Sequence, residues 1–129
     1  NCGCRLFRFQ ALMPISIREI EWGEAAEQGL KVAAGDDMEI IKAEVLGGIS
    51  KLWKCDSESS AAYMVTRLDD KTELCIVAGE GQGFFEFMPV FIQWCRQKGY
   101  SVRTHVKRKG LVKMWARLGI TFDEYVLRG

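Results

Sequence analysis

The chain holds two prolines, a single histidine, an odd number of cysteines and no long apolar run, and each scarcity removes a class of protein. A membrane-spanning helix needs roughly 18 consecutive apolar residues. Nothing in the 129 residues approaches that, so a soluble protein without membrane partners is expected. Internal repeats and low-complexity tracts are also missing. The cysteines, Cys2, Cys4, Cys55, Cys75 and Cys95, show no paired spacing beyond one Cys-x-Cys. A zinc site from Cys2, Cys4, Cys55 and His105 has the wrong spacing for ribbons or fingers, and no metal is expected. Cys75 and Cys95 sit in apolar runs, where a free thiol acts as a small hydrophobe. Arg5 and Arg8 break the N-terminal stretch, so it has no signal-peptide core. A reduced, cytoplasmic setting is the expectation.

What is present fits one globular domain, with 48% apolar and 27% charged residues. A chain of this size buries about two thirds of its unfolded surface, enough for one core. Residues 1–12 differ in character from the rest and read as an expression scar or an upstream extension. Residues 13–129 then form the domain. Net charge is only +1, but it is unevenly spread. Met13 to Ser60 holds ten acidic and five basic residues, whereas Gln97 to Gly129 holds eight basic and two acidic ones. The basic end is expected to face an anion.

Apolar–polar alternation predicts a half-buried strand over Ile15–Ile20. A helix over Trp22–Ala34 follows, then a second over Met38–Leu46 that Gly47-Gly48 ends. Three strands come next, Ile49–Cys55, Ala61–Leu68 and Thr72–Ala78, with Asp69-Asp70-Lys71 as a hairpin turn between the last two. Gly79-Glu80-Gly81-Gln82-Gly83 reads as a loop, and a helix runs from Phe84 to Lys98. Its stripe of Phe84, Phe87, Met88, Phe91 and Cys95 is broad enough to need burial or a partner. Pro89 lies near its first turn, where a missing N–H costs little. Ser101–Lys107 is the fifth strand, Leu111–Leu118 a short helix and Ile120–Leu127 the last strand. The order β-α-α-β-β-β-α-β-α-β calls for a mixed α/β sheet with helices on both faces.

A strand, a glycine-rich turn and a helix start in succession bring backbone N–H groups and the positive end of a helix dipole together. That arrangement suits a phosphate, and glycine lets it approach the backbone without meeting a Cβ.

This order of elements resembles the GNAT superfamily of N-acetyltransferases, best between Glu73 and Leu127. The family pattern after its fourth strand is Arg/Gln-x-x-Gly-x-Gly/Ala at a helix start. Ala78-Gly79-Glu80-Gly81-Gln82-Gly83 supplies both glycines, with Ala78 in place of the Arg or Gln. Downstream, Leu118-Gly119-Ile120 stands where Leu-Gly-Phe is usual. Arg108 replaces the family's Asn, and Trp115 replaces the Tyr that serves as its acid.

The resemblance implies an acyl-CoA-dependent N-acyltransferase using acetyl-CoA, with CoA as product. It places the pyrophosphate on Gly79, Glu80, Gly81, Gln82, Gly83 and Phe84, and the pantetheine arm on the backbone of Val77 and Ala78. Direct transfer to an amine also needs a base, and the candidates are Glu73, Glu80 and His105. His105 shares a strand with Arg103 and Lys107, and a lone histidine is more often structural than catalytic.

Other readings stand beside this one. The missing Tyr, the missing Arg or Gln and the short chain also suit a non-catalytic assembly or adaptor protein, resembling small phage and prophage GNAT-like proteins. Lys109, Lys113 and Arg117 at helical spacing, near Arg103, Lys107 and Arg108, suit a nucleic acid or the CoA 3′-phosphate. The apolar helix from Phe84 leaves room for a homodimer. The amine acceptor is not legible.

Overall fold

A computed structural model describes residues 6–9, 15–105, 121–123 and 126–128. The strands are β1 (Leu6–Phe9), β2 (Ile15–Ile20), β3 (Ser50–Asp56), β4 (Ala61–Asp69), β5 (Glu73–Gln82), β6 (Ser101–His105), β7 (Thr121–Asp123) and β8 (Val126–Arg128). The helices are α1 (Glu24–Gly29), α2 (Lys31–Ala34), α3 (Met38–Leu46) and α4 (Phe84–Gln97), with a 3-10 turn over Gly35–Asp37. All eight strands join one mixed sheet in the order β1-β2-β3-β4-β5-β6-β8-β7. Strands β1 to β5 pair antiparallel with one another in chain order, and β6 runs parallel to β5. A parallel neighbour requires a crossover, and α4 supplies it. The expected mixed α/β sheet and its meander are therefore present.

Helices cover both faces. On one, Phe84, Phe87, Met88, Phe91, Ile92 and Cys95 of α4 are buried against Ile17, Trp53, Met64, Leu74 and Ile76. Trp53 meets Phe91 and Trp94 edge-on, at 5.6 and 6.1 Å between ring centres. Its indole N–H donates to Thr66 Oγ1 at 2.9 Å, so this buried polar group is satisfied. Helix α4 passes through Pro89, which sits on its exposed side. On the opposite face, Ala26, Leu30, Ala34 and Ile41 pack on Leu52, Val65 and Ala78.

Four expectations change. The single helix over Trp22–Ala34 is two short ones, because Leu30 leaves helical geometry (φ −100°, ψ 1°) and turns its side chain into the core. The loop Gly79–Gln82 is strand: β5 runs on to Gln82, which pairs with Ala61. Strand β4 is nine residues long and offers backbone partners that override the weak strand preference of glycine. The last strand over Ile120–Leu127 is two short strands, β7 and β8, paired antiparallel with each other. Pro89 lies beyond the first turn of α4, not near it. The expected helix Leu111–Leu118 and residues 106 and 107 of the fifth strand lie outside the described residues. Among the described residues, no helix is long and apolar enough to cross a membrane.

Candidate active site

The site is organised by one irregularity in β5. Val65 pairs with Ala78 and the next residue of β4, Thr66, pairs with Ile76, so Val77 is an extra residue, a β-bulge. A bulge reverses the alternation of a strand. Before it, Leu74 and Ile76 point at α4; after it, Ala78 joins the core under α1–α3 and Glu80 reaches α2. Among the described residues the β5·β6 ladder spans Glu73–Ile76 opposite Ser101–Thr104. The bulge stands next to the end of that described pairing, and bulges bend and twist the strand that carries them.

The residues expected to hold phosphate follow the bulge, and their glycines are needed for contacts within the chain. A Cβ on Gly79 would run into the Phe84 ring, which folds back from the start of α4. Gly81 has φ +143°, and a Cβ there would lie 2.5 Å from Ala61 O and from Ala62 Cα. Gly83 takes the left-handed conformation (φ 71°, ψ 23°) that turns the strand into α4. The same glycine is overlain by the side chains of Ser60 and Glu86, whose hydroxyl and carboxylate are hydrogen-bonded. Ser60 arrives from the β3–β4 turn, where its amide donates to Ser57 Oγ at 3.1 Å. Sequence reasoning missed Ser60 and Glu86. A Glu three residues after a helix cap is the one local signal that could have pointed to the second.

Glu80 is committed elsewhere. Its carboxylate accepts the Ala33 N–H at 2.5 Å and so ties α2 to β5 across the core from the Phe84 side. Tyr63 is its partner on β4, and Lys54 Nζ lies 5.2 Å from the centre of that ring. Gln82 and Gly81 are exposed at the strand end, and Val77 is half-buried.

The other two candidate bases, Glu73 and His105, are not brought together either. Glu73 begins β5, about 20 Å along the strand from Gly79 at roughly 3.3 Å per residue. There it pairs with Arg103 Nη1 at 3.4 Å. Arg103 Nη2 also meets Asp69 at 2.5 Å, and Asp69 accepts from Arg67 Nε at 3.0 Å. Arg67 in turn reaches Glu44 of α3 at 3.3 Å. The hydrogen bond that Arg67 donates to Asp69 raises the Arg67 pKa further. Glu73 and Arg103 thus belong to an ionic chain that fastens α3 to the sheet. His105, by contrast, follows Thr104, the neighbour of Ile76, and so lies level with the bulge; it pairs with Val126 of β8. Arg108, Lys109, Lys113, Trp115 and Arg117 lie outside the described residues.

Cys55, Cys75 and Cys95 are buried free thiols. Burial pushes Cys55 and Cys95 up to about 12. It raises Cys75 as well, against the opposing pull of Arg103. None of them is a thiolate nucleophile near neutral pH.

No protein-family profile and no curated protein matches the chain. Among solved structures it is similar to an acetyltransferase from Bacillus subtilis in complex with CoA. That match has 9% identity and a TM-score of 0.63, covering 98% of this chain and 96% of the other. It is also similar to Ard1 from Thermoplasma volcanium, with 12% identity and a TM-score of 0.56, covering 88% and 94%. The β5 bulge, the crossover through α4 and a likeness spanning nearly the whole chain together give this protein the GNAT fold.

Proposed function

We propose that this chain is an acyl-CoA-dependent N-acyltransferase with acetyl-CoA as donor. The observation that carries the reading is the bulge at Val77, next to where the β5·β6 ladder of the described residues ends. A strand edge released from its neighbour can pair with an extended amide-bearing chain, and pantetheine is one. In this reading the backbone of Val77 and Ala78 meets the pantetheine. The backbone from Gly79 to Phe84, at the positive end of α4, holds the pyrophosphate. The acceptor amine attacks the thioester carbonyl, so a C–N bond forms and the C–S bond breaks. The amine proton passes to a base and the thiolate leaves as CoA. His105 is the proposed base, because its backbone stands level with the bulge, whereas Glu73 is held in the ionic chain. The acceptor is an amine of unassigned identity.

A second reading keeps the fold without the chemistry, as an assembly or adaptor protein. The Glu86–Ser60 contact favours it, because it sets a carboxylate over Gly83, where the first reading places phosphate. Calorimetric titration of acetyl-CoA and CoA decides between them. The enzyme reading expects micromolar binding that Gly83→Leu abolishes, and His105→Ala should lower turnover while leaving binding intact. Absence of binding up to millimolar ligand would remove the enzyme reading and leave the adaptor. The basic C-terminal third keeps a polyanion among the candidate partners, and a steep salt dependence of DNA or RNA binding is its test.

A further inference from the structure

Among the described residues five large apolar side chains are exposed, and four of them fall between Val32 and Ile49. Ile40 is 61% and Ile49 62% exposed, and with Ala43 they line a shallow groove on the outer face of α3. Helix α3 does not need these side chains for its own packing. Ile41 is buried beneath it, and Met38 and Val45 complete the contact with the core. Exposed apolar residues concentrated on one short segment mark a contact surface more often than isolated ones do.

The charge around the groove narrows the occupant. From Glu21 to Ile49 there are seven acidic and two basic residues. One of the two bases, Lys42, is paired with Glu27 at 3.2 Å. Glu39 and Glu44 form the walls of the groove itself; Arg67 holds Glu44 at 3.3 Å, and Glu39 is exposed to solvent. An anionic membrane surface would be repelled by this face. A second copy docked through the same face would set acid against acid across a two-fold axis.

We propose that the outer face of α3 is a docking surface for a cationic amphipathic segment of a partner protein. Its apolar side chains would lie on Ile40, Ala43 and Ile49, and its Lys or Arg residues beside Glu39. The proposal is independent of acyl transfer, since it uses the outward-facing side chains of α3 and Ile49 and not the backbone of β5.

Two 14-residue probe peptides test it, one of leucine and lysine at helical spacing and one with glutamate in place of every lysine. Fluorescence anisotropy would follow their binding to the full chain. The lysine peptide is expected to bind and the glutamate peptide not to. Affinity should fall at least tenfold in the Ile40→Ser/Ile49→Ser double variant and also in Glu39→Lys. All three positions are exposed, and circular dichroism would confirm that the variants stay folded. Equal binding to wild type and the double variant would overturn the proposal, because charge alone would then explain it. So would no binding, or sedimentation showing a dimer that the double variant converts to monomer.

Discussion

Gly79, Gly81 and Gly83 lie within five residues yet answer to different neighbours. Gly79 leaves room for the Phe84 ring, Gly81 lies on the backbone of Ala61 and Ala62, and Gly83 makes the turn. A glycine-rich motif that invites a phosphate is thus also required by the chain's own packing. Gly81→Ala is expected to destabilise by about 3 kcal/mol, because its Cβ meets two backbone atoms and its φ suits only glycine. Urea unfolding would show this as a lower midpoint. Glu86 makes the opposite prediction for ligand binding. Glu86→Gln removes a negative charge beside Gly83 and should tighten CoA binding about threefold, a size set by its exposure to solvent. The gain should shrink in 0.5 M salt. An unchanged dissociation constant at low salt would mean that CoA does not approach the start of α4.

Among the elements, α4 was the most legible. Its stripe repeats at helical spacing, and Phe84, Phe87, Met88, Phe91 and Cys95 are all buried as that spacing requires. The end of β5 was the least legible. Three glycines look like a loop, and only the presence of Ala61–Met64 alongside makes that stretch a strand. The bulge was hidden for a different reason. Leu74 to Ala78 is apolar throughout, so no polar residue marks the point where alternation reverses. Deleting Val77 tests what the bulge does. Without it Thr66–Ile76 and Val65–Ala78 become adjacent pairs of a regular ladder, so Ala78 and Glu80 still face α1–α3 and Gly79 still lies under Phe84. Stability is expected to change by only about 1 kcal/mol, whereas CoA binding should be lost with the bulge. Retained CoA binding would show that the bulge does not serve the pantetheine.

For the whole molecule, the buried thiols set a limit on the alkaline side. Burial keeps the protons on Cys55 and Cys95 in the folded protein up to about pH 12, against 9.0 for an exposed thiol. Above about pH 9 the unfolded chain binds fewer protons than the folded one, so stability falls as pH rises toward 12. Below 9 these groups contribute no slope. Thermal unfolding between pH 8 and 11 should show a falling Tm, with a shallower fall in Cys55→Ala/Cys95→Ala. An identical slope in the variant would assign the loss to other groups.

The sequence by itself determined the order of the central elements, the strands of the meander, the buried stripe of α4 and the mixed sheet. Each of these is written in periodicities and turn residues that lie within one segment. Only the tertiary structure decided that β5 continues through its glycines, that Val77 bulges, that Glu86 and Ser60 meet over Gly83, and that Glu73 belongs to Arg103. Those outcomes depend on strands and turns far apart in the chain, whose backbone hydrogen bonds and charges act on a segment from outside it.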